Sequence, residues 1–114
     1  MPRLPLAAEI TRPAFHILLA LAERDLHGLG IADSVARTTE GAVDLGPGTL
    51  YRTIGLLIDS GLIREARAPE RDTDPRRRYY TITAEGRRRA ATEAAQLSRI
   101  AKVARERKLL PEQG

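Results

Sequence analysis

Three successive arginines, Arg76, Arg77 and Arg78, are the feature of this sequence with the most definite chemistry. A guanidinium group is planar and permanently charged. It presents its donors in a fork that matches phosphate or carboxylate. The three follow a polar stretch, residues 69–75, which begins and ends in proline and reads as a hairpin loop. Guanidinium groups at the base of a hairpin suit a grip on phosphates or entry into a narrow minor groove. Arg71, Asp72 and Asp74 make the loop itself mixed in sign.

A second set lies just after the break Gly46-Pro47-Gly48. On a helix over residues 49–60, Leu50, Ile54, Leu57 and Ile58 form one face. Thr49, Arg52, Thr53 and Leu56 fall on the opposite one. The hydroxyls of Thr49 and Tyr51, close to a helix N-terminus, suit phosphate oxygens. Arg52 is the one long donor on the outer face, with the reach to bond guanine O6 and N7 in a major groove. Leu56 is either a thymine-methyl contact or partial core.

Other chemistries lack their residues. The sequence has no cysteine and two histidines, His16 and His27, a poor set for a metal. His16 sits in an apolar helix and His27 in a turn, and both read as structural. Neither a glycine-rich phosphate loop nor a nucleophile elbow occurs. No catalytic residue, cofactor or metal is expected, and the chain does not read as an enzyme. The longest apolar run, residues 17–22, falls far short of the about 20 residues of a membrane helix. Pro2 and Pro5 around Arg3 do not read as a signal peptide. A cytoplasmic protein away from the membrane is expected.

Charge is unevenly spread. Residues 1–63 hold 5 basic and 7 acidic side chains, net −2, and residues 64–114 hold 14 and 8, net +6. A basic half points to a polyanionic partner. Hydrophobic residues make up 42% and charged residues 30% of the 114, a globular balance that fits one domain.

The elements that must hold these residues follow from periodicity and caps. Helix one is expected over residues 11–24, with Phe15, Leu18, Leu19 and Ala22 on its buried face. Helix two runs over 28–38 with a stripe of Ile31, Ala32, Val35 and Ala36. A short strand is expected over 42–45, then the helix over 49–60 with Gly61 as its cap. Strands over 62–68 and 78–82 flank the polar loop, with Tyr80 and Ile82 on one side of the pleat. Thr83 caps a last helix reaching about residue 107. The expected fold is mainly α with a small β-wing: a flexible arm (1–10), a winged helix-turn-helix (11–83) and a C-terminal helix (84–110).

That last helix carries an apolar stripe of Ala90, Ala94, Leu97, Ile100, Ala101 and Ala104. Too little chain remains to cover both this stripe and the core. Pairing with a second copy covers it, with Leu97, Ile100, Ala101 and Ala104 at its centre.

Taken together, Ile17 to Glu23, His27-Gly28, Gly48-Thr49-Leu50-Tyr51-Arg52, Leu57 to Ile63, Arg77 to Thr83 and Gly86-Arg87 resemble the PadR family of transcriptional regulators. The resemblance spans roughly residues 13–90 and is to the smaller subgroup with a single C-terminal helix. It implies a winged-helix homodimer, usually a repressor, that binds double-stranded DNA at an inverted-repeat operator. Dimerisation would use the C-terminal and N-terminal helices. Thr49 and Tyr51 would meet the DNA backbone, Arg52 the groove, and Arg76 to Arg78 would make the wing contacts. Two departures stand out: Leu29 where the family often has tyrosine, and Gly46 where it often has serine. Relatives that stack flat drugs on tryptophan have no counterpart here, since the chain has no tryptophan. Release of the repressor by a small-molecule effector or by another signal is expected. The competing expectation is a winged-helix protein–protein module that does not touch DNA.

Overall fold

The computed structural model describes residues 10–112. The chain runs α1 (Arg12–Glu23), β1 (Leu26–His27), α2 (Gly28–Thr38), α3 (Pro47–Asp59), β2 (Ile63–Ala66), β3 (Tyr79–Ile82) and α4 (Ala84–Glu106). Four helices and a three-stranded antiparallel sheet of order β1-β3-β2 make a winged helix-turn-helix, as expected. All but the last residue of the expected arm lie outside the described residues. That last residue, Ile10, is buried in the core.

Capping chemistry sets several boundaries. The Thr11 hydroxyl accepts from the Ala14 N–H at 3.3 Å and starts α1. The Thr83 hydroxyl accepts from the Gly86 N–H at 3.0 Å and starts α4. Gly61, at φ +76°, takes the left-handed turn that ends α3. α3 begins two residues earlier than expected. Pro47 fits a first helical turn, where its missing N–H costs no hydrogen bond, so Gly46-Pro47-Gly48 starts the helix instead of preceding it.

The strand expected over 42–45 does not form. Glu40 and Gly41 turn the chain at positive φ. The Thr39 hydroxyl then donates to the Val35 carbonyl at 2.8 Å and accepts from the Val43 N–H at 3.0 Å. A side chain therefore takes the donor that a ladder would need. The third strand comes instead from the turn after α1. Leu26 pairs with Tyr80 and His27 with Tyr79. On the other side of β3, Ile63 pairs with Ile82 and Ala66 with Tyr79.

The core lies where α1, α2, α3 and the sheet meet, around Ile17, Leu18, Leu21, Ile31, Val35, Leu57, Leu62 and Ile63. The buried face of α1 is Ala14, Ile17, Leu18 and Leu21, one residue out of phase with expectation, and Leu19 is 40% exposed. Residues 17–22 are apolar throughout, so no polar residue marks the outer face. Ile58, expected in the core, is also partly exposed, because the core-facing stripe of α3 is Leu50, Thr53, Ile54 and Leu57.

α4 is rooted in this core and then leaves it. A Cβ on Gly86 would collide with the Leu62 carbonyl oxygen, so α4 lies directly against the start of the wing. The Thr83 hydroxyl donates to the Gly61 carbonyl at 2.8 Å, and the Arg87 guanidinium to the Ala22 carbonyl at 3.1 Å. Ala90 is the last buried residue of the helix. Beyond it Leu97 and Ile100 are 48% and 55% exposed, and Ala101 and Ala104 are half-buried.

Candidate nucleic-acid interface

α2, α3 and the wing enclose a cleft of about 630 Å³ that brings part of the expected set together. Tyr51 enters from the first turns of α3. Arg76, Arg77 and Arg78 enter from the wing. His27, Gly28 and Leu29 close it at the start of α2. The approach of α2 to α3 is close: a Cβ on Gly28 would overlap the Tyr51 hydroxyl and lie 2.8 Å from its ring carbon Cζ. Neither α2 nor α3 has a side-chain cap, whereas α1 and α4 both do. The first-turn N–H groups of the two helix-turn-helix helices thus have no side-chain acceptor among the described residues. Such groups favour an anion.

Arg52 stands outside the cleft. It is exposed and makes no hydrogen bond or ion pair among the described residues. Thr49 is half-buried beside it. Thr53 departs from expectation: it is 7% exposed, and its hydroxyl donates to the Thr49 carbonyl at 2.6 Å. It sits on the core side of α3, and the previous turn takes up its donor, so it is not part of the outer face.

The wing is held by its own carboxylates. Arg76 forms a two-point pair with Asp74, Nε to Oδ1 at 3.2 Å and Nη2 to Oδ2 at 3.3 Å. Arg77 Nη1 donates to Asp72 Oδ2 at 3.3 Å, and Arg78 Nη1 to Glu65 Oε1 at 3.1 Å. The centre of the hairpin is Asp72, whose side chain is 7% exposed. It accepts from the Tyr79 hydroxyl at 2.5 Å and from the Asp74 N–H at 3.0 Å. These bonds, led by Tyr79, bring its carboxyl down to about 2. The same bond to Asp72 raises Tyr79 above the ordinary phenol value. The Asp74 carboxyl is lowered chiefly by Arg76.

Tyr79 and Tyr80 are both buried, on opposite faces of β3. Tyr80 belongs to the core, and Tyr79 lies over the wing loop with its ring 5.3 Å from that of His27. Sequence reasoning gave Tyr79, Asp72 and Asp74 no part in the site. The polar loop hid the fact that its acids are the anchors of its arginines.

A second, more apolar cavity of about 450 Å³ lies between α1, the loop after α2 and α4. Phe15, Val43 and Leu97 line it together with His16, Arg12 and Glu93. The His16 Nδ1 atom is buried there without a hydrogen-bond partner among the described residues. Burial, and after it the Arg12 charge, hold His16 below its ordinary value. Among the described residues no group of acids and histidines is placed to hold a metal ion, and no helix is long and apolar enough to cross a membrane.

Residues 17–92 match the model of the transcriptional regulator PadR-like family. The chain belongs to the PadR-like family. Solved structures agree. A PadR family transcription regulator from Clostridium difficile R20291 is 25% identical, with a TM-score of 0.70 over 84% of this chain and 97% of that one. A transcriptional regulator from Clostridium thermocellum is 27% identical, with a TM-score of 0.67 over 82% and 89%. The PcaV transcriptional regulator from Streptomyces coelicolor, also 27% identical with a TM-score of 0.67, matches 83% of this chain and 62% of its own. No curated protein matches the sequence. This PadR-like chain is a DNA-binding transcription regulator and not an enzyme. The cleft between Tyr51, the start of α2 and the wing is its candidate DNA interface.

Proposed function

We propose that the protein is a homodimeric repressor of the bacterial cytoplasm that binds an inverted-repeat operator in double-stranded DNA and is released by a small molecule. The convergence of Arg76, Arg77 and Arg78 with Tyr51 and the open start of α2 on one cleft carries this reading. Guanidinium forks, a hydroxyl and helix-terminal N–H groups are the donors that DNA backbones take. Arg52, exposed outside the cleft and unpaired among the described residues, is the base-reading residue; Thr49 and Tyr51 set its register on the backbone. Thr53 has no part in this.

The exposed stripe of Leu97 and Ile100, with Ala101 and Ala104 beside it, supports a two-fold pairing through α4. The effector site is the cavity beside His16. It touches both α4 and the loop that leads into α3, so an occupant there acts on the pairing helix and the reading helix together.

A mobility-shift titration against the region upstream of the protein's own gene tests the reading. A discrete complex that survives excess scrambled duplex is the expected result. Binding to no duplex at all would leave the protein–protein module as the better account.

A further inference from the structure

Each of the three wing arginines meets a carboxylate of its own hairpin: Arg76 with Asp74, Arg77 with Asp72, Arg78 with Glu65. The three acids are not equivalent. Asp72 is buried and fixed by Tyr79 and the Asp74 N–H, so it is part of the wing's frame. Glu65 is well exposed and meets its arginine at one point. Asp74 alone of the three lines the cleft, and it takes its arginine with both oxygens. Its Oδ1 also accepts from the Arg76 N–H at 2.9 Å, which fixes the carboxylate in place. The Arg76 side chain is 89% exposed and pairs with no other acid among the described residues.

A carboxylate bound by both its oxygens fills the fork that a DNA phosphate would fill. We infer that Asp74 is a further positioning residue of the DNA site: it holds the Arg76 guanidinium over the cleft as a phosphate mimic and keeps it from polyanions that do not displace the carboxylate. The inference rests on the DNA-binding reading and adds a control to it. An exposed pair of this kind is weak, so a well-placed phosphate opens it at little cost. A polyanion that passes loosely finds the arginine already neutralised.

The sign of the effect separates this role from a structural one. If Asp74 only shaped the loop, removing its charge would weaken binding. If it masks Arg76, removing its charge strengthens binding. Asp74→Asn keeps an oxygen acceptor for the Arg76 N–H, and circular dichroism checks the fold. Glu70→Gln is the charge control, since Glu70 is exposed in the same loop and pairs with no arginine among the described residues. The probes are a random-sequence duplex and heparin at fixed salt.

Asp74→Asn is expected to tighten binding to both by about threefold, and Glu70→Gln by clearly less. In an Arg76→Ala background, Asp74→Asn should do no more than Glu70→Gln. Weaker binding by Asp74→Asn overturns the inference. So does an equal gain with and without Arg76, which would reduce the effect to net charge. A wild-type protein that binds neither probe overturns the DNA-binding reading itself. One that binds both, with an Asp74→Asn variant no tighter than Glu70→Gln, overturns only the masking.

Discussion

The Tyr51 hydroxyl occupies the space a Cβ of Gly28 would need. One side chain of α3 is thus seated against bare backbone at the start of the helix before it. Tyr51 is 51% exposed, so it can swing outward if pushed. Gly28→Ala should therefore change the melting temperature little but turn Tyr51 out of the cleft. DNA affinity should fall about tenfold, the scale of one lost bond to a charged group. Tyr51→Ala should cost a similar factor, and the double variant no more than either single one. Independent, additive losses in a titration of all four proteins would show that the two residues do not act together.

The pairing of two chains is tested on α4. Leu97→Asp with Ile100→Asp would bury unpaired charge in the proposed interface. Both residues lie beyond Ala90, the last buried residue of the helix, so the variant should fold as a monomer. Sedimentation should report a dimer for the wild type and a folded monomer for the variant. A wild type that is monomeric at micromolar concentration would remove the two-fold operator as well.

On the proposed reading, the wing supplies the sequence-independent part of the affinity. Arg77→Ala with Arg78→Ala should weaken binding to all duplexes alike and reduce the log–log salt slope by roughly one per lost phosphate contact. An unchanged slope in a folded variant would mean that the wing does not touch phosphate.

The frame of the wing has a pH signature. Asp72 titrates at about 2 in the folded chain against an ordinary 3.8. A carboxyl lowered by folding contributes fully above its unfolded value, and its contribution is lost as pH falls through the folded one. The wing should therefore hold at pH 5 and loosen only between about 4 and 2. Tyr79→Phe removes the largest cause of the shift, so the Asp72 titration, followed by carboxylate NMR, should move up toward the ordinary value. A titration unmoved by the loss of the Tyr79 hydroxyl would break this account.

Arg52 carries the prediction about specificity. Arg52→Ala should cost about 1–3 kcal/mol on the operator and clearly less on scrambled duplex. The two copies of α3 should reach successive major grooves, about 34 Å apart. Competition binding at one salt concentration decides: equal losses on both duplexes would make Arg52 a phosphate contact.

Local chemistry made much of this molecule readable in advance. Thr83, Gly61 and Thr11 announce helix ends through hydrogen bonds and a positive φ that depend on nearby residues only. The bounds of α2 and the order of elements from α3 to α4 were equally legible. What escaped depends on contacts distant in sequence. The unbroken apolar run 17–22 fixes a helix but not its phase, which is set by what α4 and the sheet leave uncovered. Leu26–His27 is too short to read as a strand, and becomes one only because Tyr79 and Tyr80 offer it a ladder. Thr53 lies at the edge of the helical face, where one turn of the wheel decides between solvent and core. In the site, the arginines were visible as a run. Their partners were not, because pairing between residues 65 and 78 exists only once the hairpin closes.

The root of α4 has a mechanical meaning. Gly86 abuts the Leu62 carbonyl, and bonds from Thr83 and Arg87 reach the ends of α3 and α1. The helix is therefore tied at its root to the end of α1 and to the turn that follows α3. Its 23 residues make an arm about 35 Å long. In a two-fold pair clasped along the outer half of that arm, the two arms work as the legs of a calliper, with a copy of α3 at each tip. A tilt of about 5° at the clasp moves each tip by about 2 Å, enough to shift a helix against the edges of a major groove. A ligand beside His16 would then need only to change the set of the hinge, and would not have to reach the DNA.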